Sequence, residues 1–194
     1  MKAVDRLLQR WRIAKARPYI ASGARVLDIG CADGALFQQL RSRIGEGVGI
    51  DPDLGRSLDM GYYKLISGWF PQDLPDARPF DVITLLAVLE HVPPDQLSQL
   101  AQDCARFLNP GGHLVLTVPS PSVDRILDLL MRMHIIDGMS LDEHYGFEPR
   151  QTLSIFSVGV MTLVKAQRFQ LGLNNLFVFT KTGEPIARRQ SCRV

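Results

Sequence analysis

Cysteine is scarce in this chain, and so are aromatic residues, net charge and long apolar runs. The three cysteines, Cys31, Cys104 and Cys192, have no Cys-x-x-Cys spacing, which argues against a disulfide framework and against a zinc site. Lysine and arginine number 22 against 20 acidic residues, a formal net charge of +2. That balance excludes a strongly basic polyanion binder of the histone kind. The longest apolar-rich stretch, Leu153 to Val164, falls short of the ~20 residues a membrane-spanning helix needs. The first twenty residues carry charges too often for the apolar core of a secretory leader. These absences lead us to expect a soluble, cytoplasmic, metal-free protein.

What the chain does have is the composition of one ordinary globule: 194 residues, 46% hydrophobic and 22% charged. We read residues 1–194 as a single domain. Residues 1–22 form a basic helical segment, in which Leu7, Leu8, Trp11 and Ala14 fall at helical spacing. The spacing predicts an amphipathic helix from Met1 to Pro18 that packs this stripe on the domain. Seven cations (Lys2, Arg6, Arg10, Arg12, Lys15, Arg17 and Arg25) face only Asp5 in the first 25 positions, which also suits peripheral membrane contact.

From Arg25 onward strand and helix patterns alternate. Strands are predicted at Arg25–Ile29, Gly47–Ile50, Lys64–Ser67, Phe80–Val88, His113–Val118, Leu163–Phe169 and Asn175–Thr180. Helices are predicted at Ala35–Ile44, from Pro93 to Leu108, at Val123–Ile136 and from Pro149 to Met161. Asn109-Pro110-Gly111-Gly112 reads as a breaker and turn. Such alternation calls for an α/β fold, a doubly wound and mostly parallel sheet with helices on both faces. Ligands of such sheets bind beyond the carboxyl ends of the strands, where the strand order switches.

The stretch Val26-Leu27-Asp28-Ile29-Gly30-Cys31-Ala32-Asp33-Gly34 carries the most information. Small residues at 30, 32 and 34 let a ligand approach the backbone. Many nucleotide pockets share such a turn, so the spacing alone is weak. Asp28 sharpens it, because a carboxylate beside the turn repels a pyrophosphate and attracts a cationic amine. The dinucleotide fingerprint is matched only in part, since Ala32 stands where it wants glycine, and no lysine follows Gly34 as a phosphate loop requires. Asp51 follows the second strand, 21 positions after Gly30, where a carboxylate can accept both hydroxyl protons of a ribose.

The series VLDIGCADG, VGIDPD, FDVITLLAVLEHV and LNPGGHLVLTVP resembles the motifs of class I S-adenosylmethionine-dependent methyltransferases, closest to the ubiquinone-biosynthesis-like small-molecule branch. It covers residues 20–120 well. The resemblance implies a Rossmann-like seven-stranded sheet with the last strand antiparallel, and S-adenosylmethionine as cofactor, released as S-adenosylhomocysteine. It further implies that Asp28 and Gly30 serve the methionine amine. Cys31, Ala32 and Gly34 would line the turn, Asp51 would hold the ribose, Pro52 would lie beside the adenine and Ala87 near the sulfonium. The family's acidic residue after the third strand is replaced here by Gly68-Trp69, so Trp69 or Phe70 is the candidate for stacking on the base. Asp73 is a weaker substitute acid.

Candidate catalytic groups are Glu90 and His91 after the fourth strand, and His144 in Asp142-Glu143-His144-Tyr145-Gly146-Phe147, with Glu143 and His134 behind them. Residues 119–150 read as a substrate lid, and Ile126, Leu127, Leu130, Met131, Met133, Ile135 and Ile136 within it suit an apolar or lipid-linked acceptor. The expected activity is methyl transfer to an O or N atom of a small molecule, with no nucleic-acid substrate. The alternative is a non-catalytic S-adenosylmethionine-binding regulatory module of the same fold.

Overall fold

The structure is a computed structural model, and it describes residues 3–75, 78–120, 148–157 and 159–183. The strands are β1 (Arg25–Ile29), β2 (Glu46–Asp51), β3 (Leu58–Asp59), β4 (Tyr63–Ser67), β5 (Phe80–Leu86), β6 (Leu108–Pro119), β7 (Met161–Phe169) and β8 (Asn174–Lys181). They form one sheet in the order β3-β4-β2-β1-β5-β6-β8-β7. The β4-β2-β1-β5-β6 block is parallel, and β8 runs antiparallel between β6 and β7. All seven expected strands are present, and the two-residue β3 adds an antiparallel edge to β4.

Side-chain alternation along each strand divides the core into two layers. On one face Leu27, Ile29, Ile83, Leu85, Leu114 and Leu116 pack with residues of α3 (Leu97–Phe107) and α4 (Pro149–Phe156). On the other, Val26, Val82, Val115 and Val178 pack with Ile13 and Ala16 of α1 (Ala3–Ala16) and Leu36, Phe37 and Leu40 of α2 (Ala35–Leu40). Gly47 and Gly49 face this second layer, where a Cβ would come within 2.7 Å of the Phe37 ring and of Cys31 Sγ respectively. The missing side chains let α2 and the β1 turn sit close on β2.

Several element boundaries differ from expectation for local reasons. The helix beginning at Ala35 ends at Leu40, since Arg41 leaves helical backbone at φ +48°. The strand from Phe80 stops at Leu86, because Ala87 takes φ +62°, although its N–H still donates to the Thr117 carbonyl at 3.0 Å. Asn109–Gly112 does not end the chain's pairing: β6 starts at Leu108, and the four residues bulge between the pairs Phe80↔Leu108 and Val82↔His113. Turn residues follow the Pro93-Pro94 pair, so α3 begins at Leu97. The helix from Pro149 ends at Phe156. The expected helix Val123–Ile136 lies outside the described residues.

The N-terminal helix reverses one expectation. Among its described side chains Ile13 and Ala16 are buried, while Leu7 is 62% exposed and Trp11 42% exposed. Of the stripe expected to pack on the domain, Leu7, Trp11 and Ala14 face solvent and Leu8 is half-buried.

Candidate functional site at the carboxyl ends of the strands

The tips of β1, β2, β4 and β5 converge at one end of the sheet. The β1 turn is held by backbone hydrogen bonds, Gly30 N–H to the Ile50 carbonyl at 2.9 Å and Gly34 N–H to the Cys31 carbonyl at 2.9 Å. Gly30 has φ +73°, and a Cβ there would lie 2.5 Å from Val88 Cγ2, so only glycine fits between the two strand ends. Ala32 takes φ +44° without that freedom, a strain that persists because its N–H donates to Asp51 Oδ2 at 2.8 Å.

Asp28 lies at the floor, 4% exposed, and accepts a 2.6 Å hydrogen bond from Thr84 Oγ1. The β1–β5 register places Thr84 directly opposite it. Burial pushes the Asp28 carboxyl up to about 7, against the Thr84 hydrogen bond and with some help from the Asp51 charge. Asp51 is 8% exposed, and its other oxygen accepts the Asp53 N–H at 2.9 Å. It therefore already organises both the β1 turn and its own turn, and retains one further lone pair on each oxygen. Pro52 follows it in that turn, exposed.

Residues that the motif reading did not include complete the wall. Gln9 and Arg12 of α1, with Leu36 and Leu86, enclose a cavity of about 30 Å³ over Asp28, Gly30 and Cys31. Gln9 Nε2 also donates to Asp33 Oδ1 at 3.3 Å, tying α1 to the β1 turn. Burial pulls the Arg12 guanidinium below its ordinary pKa, while the charges of Glu90 and Asp5 hold it up. Cys31 is buried in the same wall, and burial, with Asp28 and Asp51, pushes its thiol up, so it is an inert lining group. Thr84 was legible as the β5 partner of Asp28 once the strands were aligned. Nothing in the helical spacing of α1 marked Gln9 or Arg12.

Around the rim, Gly68 N–H donates to the Asp51 carbonyl at 3.2 Å, linking β4 to β2. Asp73 is occupied by this turn: its Oδ2 accepts the Trp69 N–H at 2.8 Å, and a Cβ on Gly68 would meet its Cβ at 2.5 Å. The two candidate aromatics part company. Phe70, half-buried, packs edge-on against Phe107 at 5.4 Å at the margin of the core, whereas Trp69 is 66% exposed. Ala87 and Val88 follow β5, and Leu89–His91 forms a short 3-10 turn that buries Glu90 near Arg12 and leaves His91 half-buried. His134, Glu143, His144 and lid residues 121–147 lie outside the described residues. Among the described residues no cluster of His, Cys, Asp and Glu is arranged to hold a metal.

A larger cavity, about 380 Å³, lies at the opposite end of the sheet among Tyr19, Ser22, Asp81, Asn109 and His113. Its charged group is already engaged, since Asp81 accepts the Arg25 N–H at 2.8 Å and the Asn109 amide at 2.9 Å. Size alone does not select the site; the amino ends of parallel strands are the stabilising end of this architecture.

Residues 2–156 match a sequence family described as a methyltransferase domain. The chain belongs to that family. Among curated relatives, the ubiquinone biosynthesis O-methyltransferase of Idiomarina loihiensis is 28% identical over 138 residues, 63% of this chain and 54% of the relative. That of Alkalilimnicola ehrlichii is 35% identical over 105 residues, 49% of this chain and 41% of the relative. The chain thus spans about half the length of the curated relatives it matches. The N-methyltransferase NodS of Bradyrhizobium japonicum, solved with S-adenosylhomocysteine, superposes with a TM-score of 0.64 at 18% identity, covering 90% of this chain and 88% of that one. A methyltransferase of Haloferax volcanii, solved with its activator Trm112, gives 0.69 at 17% identity, covering 90% and 91%. These likenesses establish the Rossmann-like fold of the family.

Proposed function

We propose that the chain is an S-adenosylmethionine-dependent methyltransferase acting on an O or N atom of a small acceptor with an apolar portion. The observation that carries the reading is the pair of buried acids at neighbouring strand tips, Asp28 and Asp51, facing a glycine turn with no lysine or arginine in it. A diphosphate would meet two carboxylates there, whereas a cationic amine and a ribose diol each find an acceptor. The donor set fits the cofactor's amino-acid end: Asp28 suits its ammonium and Arg12, in the same wall, suits its carboxylate. The enclosed cavity has room for about two waters, so the sugar and base belong outside it, along Asp51, Pro52 and Trp69.

When bound, S-adenosylmethionine supplies an electrophilic methyl group. The chain's own work is then to bind, align and exclude water. Asp28, charged once an ammonium lies against it, fixes the amino-acid end, and the Glu90 charge favours the charged form of Arg12. Gly30, close against Val88, keeps the passage between the ends of β1 and β5 narrow. His91 and His144 are assigned to orient the acceptor or take its proton, and the apolar residues of 126–136 to receive its hydrocarbon part.

Calorimetry with S-adenosylmethionine, S-adenosylhomocysteine and NAD tests the binding claim: the first two bind and NAD does not. Asp51→Ala weakens binding by about 1–3 kcal/mol. Equal binding of NAD, or an unchanged Asp51→Ala, overturns it. Cofactor consumption in an acceptor library separates enzyme from binder, and loss of turnover with retained binding in His144→Ala supports that residue's role.

A further inference from the structure

We propose that α1 docks the protein on an anionic lipid surface, through the apolar ridge it turns to solvent. At about 100° per residue, Leu7, Trp11 and Ala14 lie within about 60° of one another on the helix. All three are exposed. Arg6 and Arg10 are exposed along one flank, and Arg17 continues that flank in the 3-10 turn after the helix. A solvated helix places polar groups outward, and this one places leucine and tryptophan there with arginines beside them. That is the arrangement of a helix lying in a lipid headgroup layer, apolar ridge inserted and cations at the phosphates.

A second element extends the surface. The β7–β8 turn, Gln170–Gly172, is fastened to α1 by Gln170 Nε2 donating to the Leu8 carbonyl at 3.0 Å, and Asn174 Nδ2 donates to Gln170 Oε1 at 2.7 Å. Next to this anchor Leu171 takes φ +56° and is 97% exposed. Here a buried, doubly bonded glutamine holds a strained leucine that packs on nothing among the described residues. Charge selects the occupant: a second copy seated ridge to ridge would oppose its arginines to these, whereas anionic headgroups neutralise them. Gln9 and Arg12, which wall the crevice, lie on the opposite side of the same helix, so the docked helix stands between the lipid surface and the site.

Vesicle flotation of the full chain tests this. The wild type floats with phosphatidylcholine vesicles containing phosphatidylglycerol, not with phosphatidylcholine alone, and is released by salt. Leu7→Ser/Trp11→Ser and Arg10→Glu/Arg17→Glu each weaken partitioning by at least about tenfold, with unchanged melting temperature since the altered side chains are exposed. Failure of the wild type to float on anionic vesicles overturns the proposal. So does flotation that survives the Leu7/Trp11 pair, which would mean electrostatic attraction without insertion. A concentration-dependent dimer that the same pair dissolves, with no lipid binding, would make a second copy the occupant.

Discussion

The two ends of the sheet are built from similar residues and do opposite work. At the amino end, Arg25 ties three strands together: its Nε lies 2.9 Å from Glu46 Oε2, its guanidinium sits 4.0 Å over the Phe80 ring, and it donates to the carbonyls of Arg78 and Pro79. Asp81 is satisfied twice over. At the carboxyl end, Asp28 is buried with a raised pKa, and Ala32 and Ala87 hold backbone conformations that alanine resists. One end is satisfied and the other is kept under tension. The larger cavity belongs to the satisfied end, so unfulfilled chemistry, rather than volume, marks the site.

If this contrast is right, Arg25→Ala has the largest effect on stability, a loss of about 3 kcal/mol in denaturant unfolding, with S-adenosylmethionine affinity unchanged. A coupled loss of affinity in the residual folded protein would erase the distinction between the ends. Asp28→Asn acts in the reverse sense. It removes a charge that burial penalises, raising stability without ligand on the order of 2 kcal/mol at pH 8, and weakens cofactor binding by about 1.5–3 kcal/mol. Melting curves and calorimetry on the same preparation read both signs.

The pH dependence sharpens this further. The folded pKa of Asp28, about 7, lies above its ordinary 3.8, so the folded chain holds the proton between those values and this residue's contribution to stability falls as pH rises through that window. Binding of a cationic amine needs the carboxylate, so affinity climbs from pH 6 to 8, by up to about tenfold per unit below 7. Asp28→Asn flattens the profile. The smallest effect is local: Ala87→Gly relieves its positive φ and stabilises the chain by about 1 kcal/mol, measured by chemical denaturation.

Much of the geometry of the candidate site was legible in the sequence. Asp28, Gly30 and Asp51 were readable because a strand, a tight turn and an acid at the next strand tip are consecutive in the chain, and local chemistry constrains each. Trp69 and Phe70 were indistinguishable in sequence, as adjacent aromatics after a strand; only the position of Phe107 on α3 separates them. Arg12 and Gln9 were hidden because their role depends on where a helix 18 or more residues upstream of Gly30 comes to rest.

The sequence alone determined the alternation of strands and helices, the parallel sheet and the placing of two acids at neighbouring strand tips. Each follows from the order of neighbouring residues and the periodicity of burial. Tertiary structure decided which face of α1 meets water. The stripe of Leu7, Trp11 and Ala14 is as good an inward face as Ile13 and Ala16 by spacing, and only the competing fit of Ile13 and Ala16 against the β-sheet turned it outward. A helix's periodicity states that it has two faces; the surface it packs against chooses between them.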